Sequence, residues 1–434
     1  MAAETHPTRA AIAQFQLEQL RALLRAILPA NPFQSRKLRD AQLTSDLASL
    51  EEFSQRCPFT LKSELAADQL AAPPFGTNLT FPVARYTRFH QTSGTAGAPL
   101  RWLDTPESWA WMVGSWTEIL RAADVRSGDR VYLAFSFGPF IGFWLAFEAA
   151  QNLGCLCIPG GGLGSAQRLR AILDNEATVL CCTPTYAARL AEVAASEKID
   201  LAKSRVRKIL VAGEPGGSVS AVRERLENLW PGARVFDHHG MTEVGPVTFE
   251  CPARAGRLHV LDRAYFAEVI DPANARATAP GETGELILTP LGREGSPLLR
   301  YRTGDLVRLA AHHGSRCECG RFDTAFDGGI LGRSDDMIIV RGVNLFPSAV
   351  DEIIRRCGGI AEYQVVVTTH RAMNELRVRI EPSSADAATV PALEQRLEKL
   401  LQESFSLRIP VEPAATGTLP RFEMKARRWV RNGG

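Results

Sequence analysis

The chain has 434 residues, with 50 Lys and Arg against 48 Asp and Glu for a formal net charge of +2. That length asks for roughly two or three hydrophobic cores, and the balanced charge gives no electrostatic case for a nucleic acid or an anionic membrane as partner. Nor does any apolar run approach the ~18–20 residues needed to span a bilayer as a helix.

The first residues lack the basic start and apolar stretch of a signal peptide. Ile12, Phe15, Leu20, Leu23, Leu24 and Ile27 recur instead at helical spacing and predict an amphipathic surface helix. The chain reads as cytoplasmic. Nine cysteines in a chain of this kind argue against a disulfide framework. Cys155, Cys157, Cys181 and Cys182 sit in apolar runs and read as core fillers.

From about 130 to 240, short apolar runs alternate with helical patterns. Val131–Phe135, Cys155–Ile158, Thr178–Cys182, Lys208–Val211 and Arg234–Phe236 read as strands, and Ser165–Glu176, Tyr186–Ser196 and Ser218–Leu229 as helices. Such alternation predicts a parallel sheet flanked by helices, with ligands beyond the carboxyl ends of the strands. Ala267–Ile270, Glu285–Thr289 and Asp305–Leu309, separated by Gly/Pro turns, predict a smaller antiparallel layer. After Gly332 the pattern restarts: a strand at Met337–Val340, a helix at Ala349–Cys357 capped by Ser348 with Asp351, strands at Tyr363–Val367 and Glu375–Ile380, and a helix near Ala392–Ser404. The expected fold is an α/β large N-terminal domain over 1–332 and a small mobile α+β C-terminal domain over 333–434.

Five segments carry chemistry. Gln91-Thr-Ser-Gly-Thr-Ala-Gly-Ala-Pro99 crowds hydroxyls and glycines as a loop that wraps phosphates would, although no Gly-Lys-Ser/Thr ends it, and a surface turn reads the same way. Asp237-His-His-Gly-Met-Thr-Glu-Val-Gly245 sets a hydroxyl next to a carboxylate, which suits a phosphate oxygen and its Mg²⁺ or a plain exposed loop. Tyr301-Arg-Thr-Gly-Asp305 puts a carboxylate on a tight turn, where it could take ribose hydroxyls. Gly332–Pro347 and Leu419–Arg428 pass individually for a structural turn and a solvated basic face. Their joint order is harder to dismiss.

In that order the segments resemble the adenylate-forming acyl-CoA synthetases, and within them the phenylacetate–CoA ligase-like aryl-CoA ligases, over nearly the whole chain. Overall size also resembles the anthranilate–CoA ligases. The resemblance implies that Thr92, Ser93, Gly94 and Thr95 hold the β- and γ-phosphates of ATP, and that Gly213, Glu214 and Pro215 line the adenine. His239 stands where the family has a stacking Tyr. Thr242 would contact the α-phosphate, Glu243 hold Mg²⁺, Asp305 bind the ribose with Arg333 nearby, and Lys425 act as the catalytic lysine. Asp335 would be the hinge and Gly342 would flank the CoA path. Two departures stand out: Ala98 replaces an expected lysine in the phosphate loop, and Met424 replaces the Gly before Lys425.

The implied reaction adenylates a carboxylic acid with release of pyrophosphate and passes the acyl group to the thiol of CoA. A carrier-protein phosphopantetheine is the alternative acceptor, and a non-catalytic nucleotide-binding, zinc-organised interaction protein is the alternative of another class. The run Phe135–Trp144 supplies flat apolar walls for a small aromatic acid of the anthranilate, benzoate or phenylacetate type. Phe135, Phe137, Gly138 and Phe140 are its expected lining, completed by Gly240, Met241 and His238, the last against polar ring substituents. Cys251, His259, Cys317 and Cys319 suit a closed structural Zn²⁺ site, with His312 and His313 as competing ligands. The family further implies a homodimer.

Overall fold

The computed structural model describes residues 6–92, 99–334, 338–340, 343–370, 373–383, 389–422 and 426–432. Helix Arg9–Ile27 opens the fold, with Thr8 accepting from the Ala11 amide at its N-terminus. Its buried face, Ile12, Leu20, Leu23, Leu24 and Ile27, falls at the three- and four-residue spacing of one helical stripe.

The parallel sheet has five strands in the order Leu156–Pro159, Arg130–Leu133, Val179–Cys182, Lys208–Val211, Arg234–Asp237. Burial on both faces explains why Val179–Cys182 is a continuous apolar run rather than an alternating one. Helices Ser165–Asp174, Pro184–Ser196 and Ser220–Leu229 connect these strands. Leu169, Leu190 and Leu226 from those helices pack with Tyr132, Leu180 and Ile209 in one cluster. Two helices the sequence pattern did not separate, Pro106–Ala122 and Ile141–Asn152, pack together and supply Met112, Trp116 and Leu145 to the largest core.

The antiparallel layer extends further along the chain than the hairpin pattern suggested. Six strands run in the order Thr248–Glu250, Arg257–Val260, Ala325–Arg333, Tyr301–Leu309, Thr283–Pro290, Tyr265–Ile270. Its first two strands were hidden in the sequence because all of Arg257–Val260 is buried, which removes the two-residue alternation that marks a half-exposed strand.

Beyond residue 338, a four-stranded sheet joins Val411–Pro413, Met373–Pro382, Ile360–His370 and Trp429–Asn432. Helices Pro347–Cys357 and Val390–Phe405 complete a cluster around Val350, Ile354, Val365, Val378 and Leu397, all of whose members among the described residues lie between 338 and 429. The expected cap of the first helix is corrected: Phe346 is the N-cap and Pro347 opens the helix, without a side-chain cap bond. Proline needs no N–H partner there. The Asp351 carboxylate instead accepts from Trp429 Nε1 at 3.2 Å. Helix Pro347–Cys357 packs on helix Ser220–Leu229 and on strand Ala325–Arg333, which joins this unit to the larger one.

Candidate active site

The residues Thr242, Glu243 and Val244 form the tip of a short hairpin, Gly240–Met241 paired with Gly245–Pro246. A three-residue tip needs a left-handed residue to close it, and Gly245 has φ +88°. Gly240 is demanded by crowding, because a Cβ there would lie 2.8 Å from the Gly245 carbonyl oxygen.

Three successive carbonyls of this tip are held by buried side chains. Arg293 Nη1 donates to the Thr242 and Glu243 oxygens, each at 2.8 Å, and Tyr265 Oη donates to the Val244 oxygen at 2.8 Å. Arg293 is fixed in turn by Asp104 through two bonds of 2.7 Å, and neither side chain reaches solvent. The pair was not legible in the sequence, since neither residue stands in a motif. Removing one partner of so buried a pair costs about 3–5 kcal/mol, so the hairpin tip is a rigid platform.

Glu243 is buried, and its Oε1 lies 3.1 Å from Lys62 Nζ and accepts from Tyr301 Oη at 3.4 Å. Burial and the adjacent Glu243 carboxylate push the Tyr301 phenol well above its usual range, so it stays a neutral donor. Lys62 is a further residue that no sequence motif marks. It begins helix Lys62–Ala71 and gave no local signal. Its place is set two residues earlier, where Thr60 bonds through its backbone to Arg300 and Arg302 on either side of Tyr301.

Asp305 is buried beside the same tip. Arg333 Nη1 donates to its Oδ1 at 3.1 Å, and its Oδ2 lies 3.1 Å from His239 Nε2 without the alignment of a hydrogen bond. Two buried polar atoms thus face each other unsatisfied, an arrangement that a ligand hydroxyl would complete. The neighbouring His238 ring packs edge-on to Trp116 at 4.4 Å. Burial pushes its pKa down to about 3, so the imidazole is neutral, and its Nδ1 has no partner.

Thr92 closes the glycine-rich loop at its base: its amide donates to the Leu100 oxygen and its Oγ1 accepts from the Leu100 amide, both at 3.0 Å. Ser93, Gly94, Thr95 and Ala98 lie outside the described residues, as do Asp335, Gly342, Met424 and Lys425. Gln91 donates to the Pro139 oxygen at 2.9 Å, tying the loop to the aromatic run. There Phe135 stacks on Phe143 at 4.1 Å, Phe137 meets Trp144 and Phe147 edge-on, and Phe140 meets Phe143 at 6.1 Å. Phe135, Phe137, Gly138 and Phe140 are each half-buried, as are Gly240 and Met241. Trp144 Nε1 donates to the Gly138 oxygen. Gly213, with φ +91°, Glu214 and Pro215 follow the end of strand Lys208–Val211.

The Cys/His group converges from three parts of the antiparallel sheet. The ligand atoms of Cys251, His259, Cys317 and Cys319 all lie within 4.8 Å of one another, and His312 and His313 are not among them. Cys251 Sγ lies 3.8 Å from Cys317 Sγ, and Cys319 Sγ 3.4 Å from His259 Nε2. Bonds of ~2.3 Å to sulfur and ~2.0 Å to nitrogen in a tetrahedron give about 3.8 and 3.5 Å for these edges, so the donors fit Zn²⁺. His259 Nδ1 lies 3.4 Å from the Asp323 carbonyl, which leaves Nε2 for the metal. Arg257 Nη1 donates to Cys317 Sγ at 3.5 Å.

The family model described as AMP-binding enzyme matches residues 89–290, and that of the AMP-binding enzyme C-terminal domain matches 342–432. Phenylacetate–coenzyme A ligase of Aromatoleum evansii is 32% identical, over 91% of this chain and 88% of its own length. The enzyme of the same name from Escherichia coli K12 is 30% identical, over 95% and 92%. Among solved structures, 2-hydroxyisobutyryl-CoA ligase in its postadenylation state with 2-HIB-AMP matches with TM-score 0.93 at 29% identity, covering 100% of this chain and 93% of that one. In the thioesterification state with CoA it matches at 0.73 and 31% identity, covering 99% and 91%. The chain belongs to the adenylate-forming, AMP-binding enzyme family, in its phenylacetate–CoA ligase branch, and is an AMP-forming acid–CoA ligase.

Proposed function

We propose that this ligase activates a small aromatic carboxylic acid, that its adenylation centre is the rigid tip at Thr242–Glu243, and that CoA rather than a carrier protein is the acceptor. One observation carries the reading: Glu243, Lys62, Tyr301, Asp305 and His239 converge around a hairpin whose three tip carbonyls are tied to buried side chains. A carboxylate is a poor acyl donor because its leaving group would be oxide. Attack of the acid's oxygen on the α-phosphorus of ATP expels pyrophosphate and gives a mixed anhydride, from which the CoA thiol displaces AMP.

The transition state gathers negative charge, so fixed cations and donors supply most of the acceleration. In the proposed assignment Thr242 meets the α-phosphate, Asp305 with His239 and Arg333 takes the ribose, and Gly213–Pro215 lines the adenine. Thr92–Thr95 hold the outer phosphates and Lys425 bridges acid and phosphate. Lys62 supplies the cation that Ala98 does not. Mg²⁺, when bound at Glu243, would neutralise phosphate charge. A boundary after Gly332 with a hinge at Asp335 would let the smaller unit move, with Gly342 on the CoA path. Zn²⁺ at the Cys/His group has no open position and would be structural.

Phe135 stacked on Phe143, with Phe137 and Phe140 edge-on to their neighbours, supports an aromatic acid, and the unpartnered His238 Nδ1 favours one with a polar ring substituent. The test is ATP–pyrophosphate exchange with 2-aminobenzoate, benzoate, phenylacetate, 2-hydroxyisobutyrate and a long-chain fatty acid, followed by free CoA. Aryl acids are expected to lead; a preference for 2-hydroxyisobutyrate or the fatty acid would sink the aryl reading.

A further inference from the structure

Both oxygens of the Glu214 carboxylate are engaged by protein amides on opposite sides. Oε1 accepts from the Thr185 amide at 2.7 Å, and Oε2 accepts from the Ala426 amide at 3.0 Å. Thr185 lies in the first turn of helix Pro184–Ser196, where Thr183 satisfies the Tyr186 amide and Pro184 has no N–H. Glu214 therefore meets a free donor at the positive end of a 13-residue helix. Its second oxygen crosses to the C-terminal unit and grips the residue that follows Lys425 in the chain.

That segment is braced on its own side as well. Arg428 forms two bonds with Glu362, at 2.6 and 3.1 Å, and its Nη1 reaches back to Thr185 Oγ1 at 3.4 Å. The Arg428 carbonyl accepts from the Val365 amide at 2.8 Å. The arrangement carrying these contacts matches the postadenylation state of the solved relative at TM-scores of 0.92 and 0.93, against 0.73 for its thioesterification state.

We propose that Glu214 is a positioning residue for adenylation: its carboxylate latches the segment after Lys425 onto the large unit and releases it before thioester formation. The proposal rests on the ligase reading above and on a contact between units made in one arrangement. A contact present in only one of two states shifts the balance toward that state. Loss of the latch therefore burdens the step that needs this arrangement more than the step that needs the other.

The two half-reactions separate these effects on the full chain. ATP–pyrophosphate exchange with an accepted acid reads adenylation, and thioester formation from a synthetic acyl-adenylate and CoA reads the second step. Glu214→Gln keeps the shape but turns an NH₂ toward one of the two amides. The exchange rate is expected to fall about tenfold more than the thioester rate, the scale of one lost charge-assisted hydrogen bond. Glu214→Asp, which keeps the charge, is expected to recover part of that ratio. KM values for ATP and acyl-adenylate rising together, with the ratio unchanged, would leave Glu214 its place in the adenine lining and nothing more, and overturn the latch alone. Equal losses in both steps, matched by a lower unfolding temperature, would reduce it to a helix cap and overturn the latch too. A wild-type chain that performs neither half-reaction overturns the ligase reading and the latch with it.

Discussion

Lys62→Ala separates charge that stabilises the fold from charge that serves the reaction. Lys62 Nζ lies 3.1 Å from Glu243 Oε1, but the lysine side chain is 49% exposed and the glutamate 7%. Coulomb's law at that distance gives about 1.3 kcal/mol in a water-like medium and about 5 kcal/mol at an effective dielectric of 20. Exposure places the pair at the low end, and half-exposed ion pairs contribute at most about 1 kcal/mol to folding. The unfolding temperature of Lys62→Ala should therefore stay close to that of the wild type. Catalysis should respond far more, because the glycine-rich loop carries Ala98 in place of a cation. Losing a group aimed at developing phosphate charge costs on the order of 100-fold in rate. ATP–pyrophosphate exchange at saturating acid measures it, and Lys62→Arg should retain most of the rate. An alanine variant exchanging within about twofold of wild type would refute the assignment, since an effect of that size is what an exposed pair alone supplies.

Two further outcomes follow from the geometry. Cys319→Ser should lower bound zinc from about one equivalent per chain and reduce thermal stability, since a structural zinc contributes folding energy directly; metal content by atomic emission checks it, and an unchanged content would remove the tetrahedral reading. His238→Phe should flatten the acid limb of the stability profile. An unfolded histidine takes up a proton below about 6.5, while His238 in the fold resists protonation down to about 3. The wild type therefore loses stability through this group as pH falls below 6.5, by about 1.4 kcal/mol per pH unit. Relative to the wild type, His238→Phe gains that amount, and parallel urea midpoints between pH 6.5 and 4.5 would contradict it.

The order of elements was open to reading because it is written locally. The strands of the parallel sheet and the Thr242–Glu243 turn each follow from periodicity or from glycines within a few residues. The four Cys/His donors were nameable from residue type, yet their common centre arises from Phe249 facing His259 across two strands and a turn closed by Gly320. The Ser348 cap fails because Pro347, one residue earlier, already occupies the first position of the helix.

What the sequence by itself determined was the family, the chain order of its motifs, and the residue types the reaction calls for. The tertiary structure alone decided which distant residues stand beside those motifs. Lys62 meets Glu243, Asp104 and Arg293 clamp the Thr242–Glu243 carbonyls, and Glu214 reaches Ala426. Lys62, Asp104 and Arg293 carry no local signature, and nothing local to Glu214 or Ala426 marks the contact between them. A lone lysine or a lone buried arginine has the same sequence neighbourhood whatever it contacts. Its position is set by the register of strands and the packing of helices far along the chain, and those are fixed only when the cores close.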